Sequence, residues 1–316
     1  MRKEKYKING EISLRGKFVH FFMPTANKRF FRLASGFLTL SKGKKNRKYS
    51  VEEVYIGKDL NLRVCIYSRL NSSASNRPAI LWLHGGGYGM GIPEYEFSFI
   101  KDFLKAEDCV VFAPDYTLSY KAPYPKALNE CYETLAWIKS NASKLKINED
   151  CICVGGDSAG GGLTIALCLY ARDKGEIDVA FQMPIYPMID DRETKTNVGN
   201  TAPLWTSKSN DNAWKLYLGD SYRKKDAPYY GAPARCNDYS GMPPAVTYIG
   251  DLDLFLDETQ TFVEKMRKSG VEVSFQVFEG CYHGFDVLCP NSKIARSARS
   301  FLIEKFLELI KRESDK

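Results

Sequence analysis

Ser158 stands in Gly156-Asp157-Ser158-Ala159-Gly160, a G-x-S-x-G spacing. An apolar strand-like run, 151–154, precedes it and a helical stretch follows. A serine in so tight a strand-to-helix turn is held in a strained backbone conformation, and the turn pushes its hydroxyl outward. Glycines two before and two after are needed because a Cβ there would collide. The helix N-terminus behind the hydroxyl favours developing negative charge. A second glycine cluster, His84-Gly85-Gly86-Gly87, directly follows the apolar run 79–83. Bare N–H groups on Gly85 and Gly86, with that of Ala159, are expected to hold the oxyanion of a tetrahedral intermediate. His84 is expected to brace this loop by hydrogen bonding rather than act as a base.

The elements that must carry these residues alternate along the chain. Strand signals fall at 51–56, 62–67, 79–83, 109–113, 151–154, 180–185, 246–249 and 271–278. Helical spacing falls at 124–140, 163–170, 257–268 and 299–311, where Phe301, Leu302, Phe306, Leu307 and Ile310 are apolar. Strands alternating with helices imply an α/β fold, with a mostly parallel central sheet covered on both faces. Residues 187–240 break this rhythm, being rich in Pro, Asn, Asp, Trp and Tyr, and read as an insertion over the strand ends. The apolar segment 18–40 has no sheet position and is expected to pack beside that insertion. The polar run 42–48 reads as the loop between this arm and the body. The expected organisation is therefore an arm, 1–50, forming part of a cap, and a main domain, 51–316, carrying the cap insertion at about 187–240.

Composition bounds the alternatives. The 316 residues are 44% hydrophobic and 26% charged, which excludes a mostly disordered chain, a collagen-like repeat and a coiled coil. The net charge is +7. Residues 1–50 hold 14 Lys/Arg against 2 Asp/Glu, a net +12 that leaves −5 for the rest. A basic stripe can touch nucleic acid or an anionic membrane, but this one lacks the motifs of RNA-binding modules. It is expected to be a solvated arm, with no nucleic-acid partner. Nine cysteines without a C-x-x-C pair favour reduced thiols and a cytoplasmic home. Cys151 and Cys153 alternate in an apolar strand, so neither a zinc site nor another metal site is expected. No run approaches the length of a membrane span, and 18–23 is too short and too polar for a secretory signal. No stable membrane insertion is expected.

The motifs in order resemble the hormone-sensitive-lipase-like family of α/β-hydrolase esterases, which includes bacterial acetyl esterases. His84-Gly85-Gly86-Gly87 and Gly156-Asp157-Ser158-Ala159-Gly160-Gly161 are similar to the family's HGGG and GDSAGG. Asp115-Tyr116-Thr117-Leu118 is similar to its D-Y-R-L with Thr117 in place of Arg. Asp253-Leu254-Phe255-Leu256-Asp257-Glu258 is similar to D-P-L-x-D-E, and His283-Gly284-Phe285 to H-G-F. The resemblance runs over roughly residues 50–310 and implies the α/β-hydrolase fold with a triad in the order Ser158, acid, His283.

Of the other histidines, His84 belongs to the glycine loop and His20 precedes the sheet, so elimination also leaves His283 as the base. Asp251, Asp253 and Asp257 all follow the strand 246–249; the motif selects Asp253. Leu254 replaces the family's Pro, which keeps Asp251 as the alternative acid. Tyr88, Asp157, Tyr186 and Trp205 are expected to line the substrate pocket, with Trp214 and Tyr217 adding aromatic surface. Cys281 lies two residues before His283, but lacks the turn or helix N-terminus that activates a thiol.

The activity implied is hydrolysis of short-chain carboxylic esters, acetyl to butyryl, through an acyl-enzyme. Acetylated sugars are among the candidate substrates, and no cofactor is implied. A serine peptidase of the prolyl-oligopeptidase type shares the Ser-Asp-His order, but the chain has no room for its extra domain. A non-catalytic ligand-binding protein on the same fold, as in the plant gibberellin receptor, has an incomplete triad, whereas all three residue types are present here. Apolar residues in the arm would suit a homodimer.

Overall fold

A computed structural model describes residues 6–43, 47–57 and 61–315. Its centre is one eight-stranded sheet. The strands are β1 (Tyr49–Ile56), β2 (Leu62–Arg69), β3 (Arg77–Leu83), β4 (Val110–Pro114), β5 (Ile147–Asp157), β6 (Gln182–Ile185), β7 (Ala245–Gly250) and β8 (Val273–Phe278). They lie in the order β1-β2-β4-β3-β5-β6-β7-β8. The pairs β1/β2 and β2/β4 are antiparallel; every other pair is parallel. Each strand expected from the sequence is present, and β5 extends beyond its apolar run at both ends to finish at Asp157.

The central strands are buried on both faces, which is why 79–83 and 151–154 read as continuous apolar runs rather than alternating ones. On one face the helix Lys293–Ser314 packs with Phe97–Ala106. The second of these was not foreseen, although Phe99, Ile100, Phe103 and Leu104 carry helical spacing and are all buried. Trp82 of β3 lies between Phe99 and Phe103, at ring distances of 4.9 and 5.1 Å. On the other face the helix Ala159–Lys174 is buried almost throughout, between the sheet and the helix Lys126–Ser140.

The antiparallel edge is tied down by Arg63. Its guanidinium donates to Glu53 at 3.0 Å, to both oxygens of Glu94 at 2.9 and 3.0 Å, and to Asp115 at 3.1 Å. Lys42, from the end of the arm, also pairs with Asp115. The expected loop at 42–48 falls partly outside the described residues.

The arm folds as two helices, Gly10–Phe22 and Lys28–Thr39. The first is fixed to the loop after β8: Asn9 N donates to Gly280 O at 2.9 Å and Tyr282 Oη to Ile12 O at 3.2 Å. The second packs on the helix Ser207–Leu218 of the 187–240 segment. Ala26 N donates to Ser209 Oγ at 3.0 Å and Asn212 Nδ2 to Ala26 O at 2.8 Å.

Candidate active site

Ser158 directly follows β5, with φ 55° and ψ −116°, a positive-φ backbone that a non-glycine residue adopts only under constraint. The constraint is steric. A Cβ on Gly156 would lie 2.4 Å from Leu83 O, and one on Gly160 would lie 2.0 Å from the same atom. Both glycines therefore let β3 and the helix from Ala159 close against the turn. Ser158 N donates to Ile185 O at 2.9 Å, fixing the turn to β6. The first-turn amides of that helix lack intrahelical acceptors, so the Ala159 N–H is available beside the hydroxyl.

His283 follows β8 on a loop held by the arm. Its Nε2 is 2.8 Å from Ser158 Oγ and its Nδ1 is 2.7 Å from Asp253 Oδ2. A carboxylate only accepts, so the Nδ1 proton is directed at Asp253 and Nε2 is left as the acceptor for the serine hydroxyl. All three residues are buried. The other Asp253 oxygen accepts from Phe255 N at 3.0 Å. Phe255 and Tyr186 meet the imidazole edge-on, at ring distances of 5.0 and 5.1 Å. Leu254 is fully buried and its carbonyl accepts from Thr196 Oγ1 at 3.0 Å, so leucine in place of proline leaves Asp253 aimed at His283. Asp251 instead accepts from Cys281 N at 3.2 Å.

The glycine loop lies alongside. Gly86 has φ 110°, and a Cβ there would sit 2.2 Å from Met90 O; Gly87 has φ 59°. Among the described residues, no backbone acceptor bonds the N–H of Gly86 or Gly87. The same holds for the N–H of Gly85, which packs against Asp157. His84 braces the loop as expected: its ring stacks on Tyr116 at 3.9 Å, and its Nδ1 lies 2.8 Å from Gly85 O. Burial lowers its pKa to about 4, so the ring is neutral.

The four residues expected along the pocket occupy different surroundings. Tyr88 is buried with φ 57°, stacks on Tyr217 at 3.8 Å and donates to Met188 O at 2.9 Å, so it pins the glycine loop to the insertion. Asp157 lies beneath the loop, where a Cβ on Gly85 would come within 2.8 Å of its Oδ2. Burial, then the neighbouring Glu96, pushes its carboxyl pKa up. Tyr186 is buried behind His283 and donates to Asp286 Oδ1 at 3.0 Å. Trp205 is the one beside the oxyanion loop: a Cβ on Gly87 would lie 2.5 Å from its ring.

Sequence reasoning missed the group behind Tyr186. Asp286 also accepts from Tyr248 Oη at 2.6 Å and from Arg299 Nε at 2.7 Å. It follows the H-G-F motif directly, and a buried acid so close to the histidine was the signal that could have found it. Cys281 is buried and its thiol pKa is raised by that burial, so it remains a thiol rather than a nucleophilic thiolate. Among the described residues, Glu53, Cys65 and Glu94 are the one set of metal-ligand types with their atoms close together. Arg63 pairs with both carboxylates, and burial pushes the Cys65 thiol up to about 12, so this donor set does not suit a cation.

A family model described as "alpha/beta hydrolase fold" matches residues 80–287. An AB hydrolase superfamily protein of Schizosaccharomyces pombe is 29% identical over 65% of this chain and 62% of its own length. An arylesterase of Saccharolobus solfataricus is 28% identical over 72% of this chain and 74% of its own length. The solved structure of a bacterial heroin esterase superposes with a TM-score of 0.86 at 27% identity, covering 97% of this chain and 98% of that one. With the sheet order, the serine turn and the family match in agreement, the chain belongs to the hormone-sensitive-lipase-like family of α/β-hydrolases.

Proposed function

We propose that the protein is a carboxylic ester hydrolase acting on short-chain esters, acetyl to butyryl, through an acyl-enzyme. The observation that carries this reading is the continuous hydrogen-bonded line from Asp253 through His283 to Ser158, at 2.7 and 2.8 Å. Ser158 Oγ attacks the acyl carbon as His283 Nε2 takes its proton. The carbonyl oxygen becomes an oxyanion, stabilised by the N–H groups of Gly85, Gly86 and Ala159. Removing one such donor typically costs about 10²–10³ in rate. The tetrahedral intermediate collapses, the ester C–O bond breaks, and the imidazolium protonates the departing alcohol. Water, deprotonated by the same nitrogen, then attacks the acyl-enzyme and releases the acid. Asp253 holds the imidazole in the tautomer this requires and stabilises its protonated form.

The arm helices and the 187–240 segment together form the cap. The Trp205 ring against Gly87 and the burial of Ser158 support a preference for short acyl groups, acetylated sugars among them. The test is a kcat/KM profile over p-nitrophenyl esters from acetyl to palmitoyl, with Ser158→Ala as the blank. A maximum at acetyl to butyryl, abolished in Ser158→Ala, is expected. A maximum at long chains would overturn the short-chain reading, and full turnover by Ser158→Ala would overturn the nucleophile.

A further inference from the structure

The two arm helices are apolar on both sides. In Gly10–Phe22 the body-facing residues are Ile12 and Gly16, with Val19 in line. A second stripe, Leu14, Phe18, Phe21 and Phe22, runs two positions out of phase, about 200° around the helix. In Lys28–Thr39 the same relation recurs: Phe31 and Ser35 face the body, while Leu33 and Phe37, continued by Leu40, face the opposite way. These seven outward residues are between 64% and 82% exposed. Phe22 lies 4.6 Å from Phe18 and 5.0 Å from Phe21 by ring centres, so the first stripe ends in an exposed aromatic cluster. Scattered surface leucines need no account, but two successive helices with ordered outward stripes do.

Basic residues accompany these stripes. Lys28, Arg29 and Arg32, with Leu33, line a surface depression of about 520 Å³. All three cations are exposed, and among the described residues none has a carboxylate within ion-pair distance. Aromatic and aliphatic side chains beside unpaired Lys and Arg are the pattern of a helix lying in a bilayer interface, with apolar groups below the headgroups and cations among the phosphates. The charge of the whole molecule orients it: residues 1–50 carry +12, and the remainder −5, so an anionic surface attracts the arm and repels the body. A symmetric dimer through the same patch would set one strongly basic arm against another. No helix among the described residues is long and apolar enough to cross a membrane, so the contact is peripheral.

We propose that the outward faces of the two arm helices form a docking surface for an anionic lipid bilayer. The inward faces of the same helices contact the loop carrying His283 and the glycine loop, since Gly16 lies against Tyr282 and Phe31 against Gly89. Docking through the outward faces therefore brings the candidate active site to the lipid boundary. The proposal does not depend on which ester is cleaved.

The test is co-sedimentation of the full chain with phosphatidylcholine vesicles with and without phosphatidylserine, at low and high salt. Binding to the phosphatidylserine vesicles that weakens with salt is expected. Arg29→Gln with Arg32→Gln should weaken it about 25-fold, at roughly fivefold per basic residue. Phe21→Ser with Phe37→Ser should weaken it by roughly 100-fold, at about tenfold per aromatic. Both double variants should retain the thermal unfolding temperature and the turnover of a soluble ester. Absence of binding to anionic vesicles overturns the proposal. Equal binding to both vesicle types, or binding unmoved by either pair of substitutions, also overturns it. So does sedimentation showing that the Phe pair governs self-association and not vesicle binding.

Discussion

Replacing Asp253 by Asn tests the site more sharply than removing the serine, because shape is conserved and only a proton pattern changes. Both Asp253 oxygens accept hydrogen bonds: Oδ2 from His283 Nδ1 at 2.7 Å and Oδ1 from Phe255 N at 3.0 Å. Asparagine has one acceptor and one donor to offer these two partners. The Phe255 amide cannot change its character, whereas the imidazole can move its proton. The carbonyl of the introduced side-chain amide therefore goes to Phe255 and its NH₂ to His283, which must present Nδ1 as an acceptor. The proton then sits on Nε2, the nitrogen 2.8 Å from Ser158 Oγ, and that nitrogen can no longer take the serine proton. The equivalent wrong-tautomer change in a serine protease lowers kcat about 10⁴-fold, or roughly 5 kcal/mol in the barrier.

The expected result for Asp253→Asn is thus a kcat on p-nitrophenyl acetate reduced by about 10⁴, with a thermal unfolding temperature close to that of the parent. Asp251→Asn is the paired control. The hydrogen bond that Asp251 accepts from Cys281 N at 3.2 Å survives in the amide carbonyl, so kcat should stay within about twofold, since the bond is worth only ~1 kcal/mol and is kept. A folded Asp253→Asn protein retaining a tenth of parental kcat, or a larger loss from Asp251→Asn, would refute the assignment of the acid.

Three further outcomes follow from burial and packing. Gly160→Ala places a Cβ 2.0 Å from Leu83 O, where both atoms belong to rigid elements. It should lower stability by about 1–3 kcal/mol in urea melts and displace Ser158 enough to reduce kcat; an unchanged melt would refute the close-packing account. His84 has a folded pKa of about 4 against an unfolded value of 6.5. The unfolded chain binds the extra proton between those values, so His84 contributes stability that is fully present above pH 6.5 and lost as pH falls towards 4. The pH dependence of urea stability across that window should be flatter in His84→Asn than in the parent, and parallel curves would show that the ring is not held neutral. Cys281→Ala should keep kcat within about threefold, and thiol reagents should modify Cys281 only on unfolding, because burial keeps the sulfur protonated; a loss of 100-fold or more would return Cys281 to the mechanism.

What the sequence disclosed depended on how local the cause was. The serine turn and the glycine loop are legible because their geometry demands glycine at fixed offsets: Gly156 and Gly160 meet the same carbonyl of Leu83, and Gly86 meets Met90 O. Parallel strands are legible because burial on both faces leaves little but apolar residues. The helix Phe97–Ala106 carries helical spacing, but over a stretch so short that it does not stand out beside the glycine loop. The roles of Tyr88, Asp157 and Tyr186 were not legible, because an aromatic or acidic residue next to a motif has the same letter whether it faces substrate or core. Tyr88 faces Tyr217, 129 positions later, and only the fold decides that.

The support of His283 shows how far that limit extends. The imidazole is aligned by Asp253 and contacted edge-on by Tyr186, whose hydroxyl is held by Asp286; Asp286 is in turn shared with Tyr248 and Arg299. Arg299 lies in the long closing helix, stacks its guanidinium 3.3 Å from the centre of the Phe99 ring and reaches Asp102 at 3.3 Å. Three separate segments thus converge on one buried carboxylate, and removing Arg299 would leave the carboxylate charge unpaired in a region that excludes water. The catalytic spacing is written in short motifs, but the rigidity that keeps Ser158 and His283 within a hydrogen bond comes from residues that carry no motif. The same division bears on the arm: its inward residues are set by the loops they cover, while its outward apolar residues and Lys28, Arg29 and Arg32 are exposed, and their placement is legible only against the bilayer contact proposed for them.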